Sequence, residues 1–307
     1  MQREPRSRLT LGYRVTSELA QVFTNKNKNY SMHPCVPATN KTVSFYTSLL
    51  IVGVGVQSLP VTADAQEARE RSSFTIGAFI TDRRSTARLD STQGPGTDID
   101  LEEDLGMETS LTVARIDGYY WITPRQRLDL SLFDLSRTST KQIDRMIDFG
   151  GEIFNVNTVV ASEADLTILK AAYTFAVVDR ERGFLGITAG LYVASTLLSL
   201  SEATLGTAKS EDLTAPLPVI GLRGEYEITD KISLRGAGEW FRIDTGGVSG
   251  SLNDIYVGVD YGFNERMAVG LAYNGVSMNI EASKTVGFEG TLDWGYDGFL
   301  LYFKFDF

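Results

Sequence analysis

Apolar and polar residues alternate along most of this chain from residue 72 onward, most cleanly at its carboxyl end. Phe299, Leu301, Phe303, Phe305 and Phe307 fall on one face, and Leu300, Tyr302, Lys304 and Asp306 on the other. A period of two predicts a β-strand. The same pattern sets Leu169, Ala171, Tyr173, Phe175 and Val177 against Lys170, Ala172, Thr174 and Ala176. It sets Leu185 to Val193 against Gly186 to Ala194, and Ile255 to Phe263 against Tyr256 to Gly262. Ten strands are predicted, over 72–89, 107–122, 127–141, 160–178, 184–201, 214–228, 231–245, 252–263, 266–282 and 289–307. Parity breaks near Asp134 and near Asn274-Gly275, which predicts bulges there. Pro216 and Pro218 are expected at the rim start of a strand, where a missing N–H is tolerated.

The connections alternate in length. Thr123-Pro124-Arg125-Gln126, Asp179 to Gly183, Thr229-Asp230 and Phe263 to Arg266 are short. Residues 90–106, 142–159, 202–213, 246–251 and 283–288 are mostly longer. Short turns at one end and long loops at the other, with an even strand count, predict an all-β fold: a closed antiparallel transmembrane β-barrel of about ten strands. Eight or twelve strands also fit the spacing. The competing fold is a soluble sandwich or lipocalin-like barrel, whose apolar face would point inward. Aromatic residues near strand ends (Tyr119, Tyr120, Trp121, Tyr226, Tyr261, Phe263) match interfacial girdles and favour the membrane.

Composition agrees. Mean hydropathy is −0.07, as expected of strands whose two faces average out. Asn40-Lys41, the apolar run Val43 to Leu59 and Ala63-Asp64-Ala65 have the order of a cleaved secretory signal. Residues 1–65 are therefore expected to be an amino-terminal extension plus signal peptide, with the signal over 32–65 and Met32 a candidate start. Residues 66–307 form one domain. That domain holds 22 Lys/Arg against 36 Asp/Glu, and neither Cys35 nor His33, the only cysteine and histidine of the chain. Its acidity argues against nucleic acid as a partner. The lack of cysteine rules out disulfides within it.

Assigning the polar face to the lumen places Arg115, Asp117, Asp129, Lys170, Arg223, Glu225, Arg235, Glu239, Asp260, Lys304 and Asp306 inside. Mixed signs in a small barrel predict a salt-bridged filling; the alternative is a charge-lined path for ions or solutes. No triad or metal site that needs histidine can be built in 66–307. Asp117 and Asp129, flanked by Arg115 and Arg127, read as ion-pair partners rather than a catalytic pair. No enzymatic activity and no cofactor are therefore expected. Asp98, Asp100, Glu102 and Asp104 would share one face of an extended segment and are weak candidates for holding Ca²⁺. They lack the EF-hand's glycine and bidentate glutamate, so a solvated acidic rim is the expectation.

The terminal Tyr302-Phe303-Lys304-Phe305-Asp306-Phe307 resembles the recognition strand of Gram-negative outer-membrane β-barrel proteins. Asp98 to Gly106, Pro124 to Leu135, Leu217 to Asp230 and Trp294 to Phe307 resemble a group of uncharacterised proteobacterial outer-membrane barrels. The resemblance implies a bacterial outer-membrane location, among lipid and lipopolysaccharide. It also implies assembly by the barrel-assembly machinery, with Phe303, Phe305 and Phe307 as its signal. It implies no activity. The chain departs from omptins by lacking histidine in the barrel, and from barrels with a peptidoglycan-binding domain by ending at the barrel. The expected function is a structural or surface-binding role, with a narrow pore or conduit for small or hydrophobic solutes as the alternative.

Overall fold

A computed structural model describes residues 71–307, apart from 203–205, 246–247 and 283–288. The expected signal, its cleavage after Ala65 and the candidate start Met32 lie outside the described residues. The strands are β1 (Ser72–Leu89), β2 (Ile99–Asp100), β3 (Ser110–Thr123), β4 (Gln126–Asp134), β5 (Arg137–Gln142), β6 (Ile147–Phe149), β7 (Glu152–Phe154), β8 (Val159–Arg180), β9 (Gly183–Glu202), β10 (Ala208–Thr229), β11 (Ile232–Thr245), β12 (Val248–Asn264), β13 (Met267–Ala282) and β14 (Gly290–Asp306). Each long strand pairs antiparallel with its neighbours, and β14 closes on β1 from Ser73↔Asp306 to Leu89↔Gly290. The result is a ten-stranded closed barrel. Strand β5 continues β4 along β8, β2 adds to the top of β1, and β6 and β7 form a separate hairpin. Closure leaves neither β1 nor β14 as a free edge.

Two-residue turns join β3–β4, β8–β9, β10–β11 and β12–β13 at one end, called here the turn end. The register shifts of the barrel sit beside those four turns, at Trp121/Thr123, Ala176/Val178, Glu227/Thr229 and Gly262/Asn264. The bulges expected near Asp134 and Asn274 are not there. Asp134↔Thr167 and Arg137↔Ala164 keep one register across the β4–β5 gap, and β13 pairs without a shift through Asn274.

What changes at those two positions is the environment. Toward the turn end the outward side chains are apolar and exposed: Leu128, Leu130 and Leu132 on β4, Leu185, Ile187 and Leu191 on β9, Ile255 to Phe263 on β12, Phe299 to Phe303 on β14. This belt is about nine residues deep on several strands, the depth a tilted strand needs to cross a bilayer. Water does not tolerate so large a continuous apolar surface, and lipid does. Beyond the belt the faces trade character. On β13, Ser277, Asn279 and Glu281 point out while Val276, Met278 and Ile280 are buried inside. Asp134, the last residue of β4, points out, and Leu135 after it is buried. Strands leaving lipid for water must turn polar outside, and the lumen there is packed as in a soluble barrel. Apparent loss of parity is therefore the membrane surface read along the strand.

One seam is unzipped. β10 pairs with β9 up to Ala208↔Ser201, but with β11 only to Ile220↔Trp240. Extending that register would put Pro218 opposite Arg242 and Pro216 opposite Asp244. Both prolines lack the N–H that the next two rungs need. They lie within β10, on the edge facing β11, rather than at its rim start.

Candidate functional site

The lumen within the belt is filled by ion pairs, and every luminal charge expected from sequence lies on the inner face. Arg115 bonds Asp117 at 3.0 Å and donates to the Asn274 side-chain oxygen at 2.6 Å. Asn274 donates onward to Asp254 at 2.7 Å. Lys170 bridges Asp254 at 2.7 Å and Glu239 at 2.5 Å. Arg223 joins Glu239 at 2.9 Å and approaches Asp129 at 3.6 Å. Arg127 holds Asp129 at 2.6 Å and Glu225 at 3.4 Å.

A second group lies nearer the turn end. Arg235 meets Asp260 at 2.8 Å and the Tyr302 hydroxyl at 2.5 Å, and that hydroxyl also donates to Asp260. Lys304 adds Asp260 at 3.9 Å and Asp306 at 3.1 Å. Gly270 makes room here, because a Cβ on it would stand 2.1 Å from the Tyr302 ring. Tyr119 lies between the groups, with the Arg127 guanidinium 3.8 Å and the Lys304 ammonium 5.9 Å from its ring centroid. Buried charges require partners of this quality.

Water-sized spheres fit over only about 70 Å³ between these side chains, room for a few water molecules. Toward the loop end the charged layer meets an aromatic one. Phe79, Phe133 and Tyr296 pack edge to face with centroids 5.6 to 5.9 Å apart, and Trp294 adds to Tyr296 at 5.1 Å. Arg115 lies 4.9 Å from the Phe133 centroid, and the Tyr192 and Tyr296 hydroxyls meet at 3.1 Å. Toward the turn end, Trp121 and Phe184 form a smaller aromatic contact at 5.0 Å.

The loops close the far end. Ile99, Leu101, Leu105, Met107, Ile143, Ile147, Phe149 and Phe154 are buried in one cluster with Leu89, Val160, Leu198 and Leu200 of the barrel wall. The acidic segment 98–105 is thus a folded turn over this core, not a solvated rim. Asp100 accepts from the N–H groups of Glu102 and Glu103 at 3.0 and 2.7 Å, a side-chain cap on that turn. Glu102 reaches inward to Arg137 at 2.5 Å and accepts from the Ser85 N–H at 2.9 Å. Asp98 lies 3.4 Å from Arg88. Asp104 pairs with Arg145, and that hydrogen bond holds the Arg145 pKa above its ordinary value. The structure therefore directs Asp98, Glu102 and Asp104 to three different arginines. No group of three or more metal-ligating side chains converges among the described residues.

Asp254 and Asn274 complete the luminal network and were not among the expected site residues; Arg127 was expected only as the flanking ion-pair partner, and it also reaches Glu225. Asp254 shares parity with Asp260, so alternation alone could have found it. Asn274 sits where the faces trade character, which masks the signal. Asp117 and Asp129 each sit in an ion pair, as expected.

No protein-family model matches the sequence, and no curated protein does. Solved structures resemble the fold. The outer membrane protease OmpT from Escherichia coli aligns with a TM-score of 0.49 at 9% identity, over 79% of this chain and 100% of that chain. The attachment invasion locus protein Ail of Yersinia pestis gives 0.34 at 12%, over 76% and 99%. A Pseudomonas aeruginosa FadL homologue gives 0.33 at 9%, over 77% and 90%. At these identities and scores the likeness is one of barrel architecture alone.

Proposed function

We propose that this protein is an outer-membrane β-barrel of Gram-negative bacteria whose role is structural or surface-binding rather than transport along the barrel axis. The turn end faces the periplasm and the loop end faces outward, with the belt among lipid and lipopolysaccharide. Export by a cleaved signal and recognition of Phe303, Phe305 and Phe307 by the barrel-assembly machinery belong to this reading. Phe303 and Phe305 share the outward parity of β14, the strand that closes the barrel, and Phe307 directly follows its end.

The observation that carries the proposal is the filled lumen. A charged layer, an aromatic layer and a folded loop cap follow one another along the axis. A solute path would need continuous space, and the charged layer offers about 70 Å³. No catalytic role is assigned to Asp117 or Asp129, because each carboxylate is already engaged by arginine. Purified protein in planar bilayers tests the reading. It should give no discrete conductance steps. Reproducible steps that disappear in Arg223→Ala or Glu239→Ala would establish the pore instead.

A further inference from the structure

The charge of the described barrel is partitioned by height. Beyond the belt, over 81–112, 134–167, 195–218, 242–253 and 276–297, the described residues hold eight Lys/Arg against 22 Asp/Glu. The remaining described residues hold 12 of each. The lower half is neutral in two parts: its luminal charges pair with one another, and the exposed charges around the short turns carry both signs in near balance. The acidic excess lies at the loop end, where most of the carboxylates reach water although Glu102 and Glu202 turn inward. A field of one sign over a surface draws in partners of the opposite sign.

Within this field the β6–β7 hairpin presents apolar side chains to water. Ile147 and Phe154 are paired and fully buried beneath it. The register puts Met146 and Ile153 on the opposite, outward face, at diagonal positions where side chains reach one another. They are 58% and 49% exposed, and Val156 just after the hairpin is 50% exposed. Unlike the belt, these residues have no lipid to cover them. Asp148 stands directly across from Ile153, and Asp144 and Glu152 adjoin in sequence. Of the cations close to the hairpin, Arg145 is already held by Asp104, and the Lys209 side chain passes Gly150 at the turn.

We infer that the outward face of this hairpin docks a cationic amphipathic peptide segment. Its apolar side covers Met146, Ile153 and Val156, and its Lys or Arg side chains meet Asp144, Asp148 and Glu152. The inference deepens the surface-binding reading and rests on the loop end facing outward.

The test uses the full-length protein in zwitterionic lipid nanodiscs, with empty discs as the blank. The probes are a fluorescein-labelled Lys/Leu amphipathic helix of about four turns and the same helix with Glu for every Lys, read by anisotropy. The Lys/Leu helix should bind and the Glu/Leu helix should not. Affinity should fall about tenfold in Met146→Ser/Ile153→Ser, and similarly in Asp148→Asn/Glu152→Gln. It should also fall about tenfold as salt rises from about 0.05 M to about 0.5 M. Met146, Glu152 and Ile153 are exposed, and Asn at the half-buried position 148 still offers an oxygen to the Gly151 N–H that Asp148 accepts at 2.9 Å, so heat-modifiable migration of the variants should stay as in the wild type. Equal binding of both helices overturns the proposal, as does wild-type affinity in Met146→Ser/Ile153→Ser. A separate readout addresses orientation: a membrane-impermeant maleimide should label Glu152→Cys on intact cells. No labelling overturns the outward reading and the docking with it. Labelling without peptide binding overturns the docking alone.

Discussion

Glu239 shows how the interior is held at the scale of single residues. Its side chain is almost fully buried between Lys170 and Arg223, at 2.5 and 2.9 Å. Removing one partner from such a cluster leaves cations without compensation, a loss of about 3–5 kcal/mol in buried pairs generally. Glu239→Gln is expected to lower the temperature at which the folded band converts to the unfolded band on a gel. An unchanged conversion temperature would show that the pairs do not hold the lumen. Gly270 offers a second case, since a β-branched side chain there must push the Tyr302 ring away. Gly270→Val should detach the Tyr302 hydroxyl from Asp260 and Arg235, seen as a change in near-ultraviolet circular dichroism and a lower conversion temperature.

At the scale of elements, Pro216 and Pro218 set where a strand pair ends. The β10–β11 ladder stops at Ile220↔Trp240 although both strands continue. Pro216→Val/Pro218→Val restores two backbone donors facing β11. Hydrogen exchange should then show slower amides at Arg242 and Asp244, and each new bond should add about 0.5–1.5 kcal/mol. Unchanged exchange would mean that something other than the missing donors holds the seam apart. The loop 98–105 makes a related point. Its acids could not be placed from spacing alone, because their partners come from three places: Arg88 from β1, Arg137 from β5 and Arg145 from the segment between β5 and β6.

At the scale of the molecule, the barrel is two environments stacked on one set of strands. In the belt, apolar residues face outward and charge fills the interior; beyond it, polar residues face outward and apolar side chains fill the interior. Arginine on the belt should therefore be costly and arginine on the upper wall should not. Leu130→Arg is expected to lose about 2–4 kcal/mol near the bilayer midplane, measured by denaturant unfolding in lipid vesicles. Ser199→Arg, outward on β9 beyond the belt, should be close to neutral. Equal costs at the two sites would contradict the assigned membrane depth.

Alternation alone marks the long strands and which side chains share a face, and leaves their number at about ten, with eight or twelve also fitting. A period of two is a local property of the backbone, and the alternation from Phe299 to Phe307 or from Leu185 to Val193 needs no partner to be legible. It also determined which charges lie inside, because inner parity is inherited along each strand. Tertiary structure decided everything that depends on height and on partners across the barrel. The faces trade character at Asp134 and Asn274 because the surrounding medium changes there, and a one-dimensional reading sees only broken parity. Arg235, which faces Glu225 across the β10–β11 pair, also meets Asp260 on the adjacent β12 and Tyr302 on β14, and only the curvature of the closed sheet brings β14 within its reach. The acidic excess gathers at one end for the same reason: only the closed barrel separates charges that must be paired from those that water can carry.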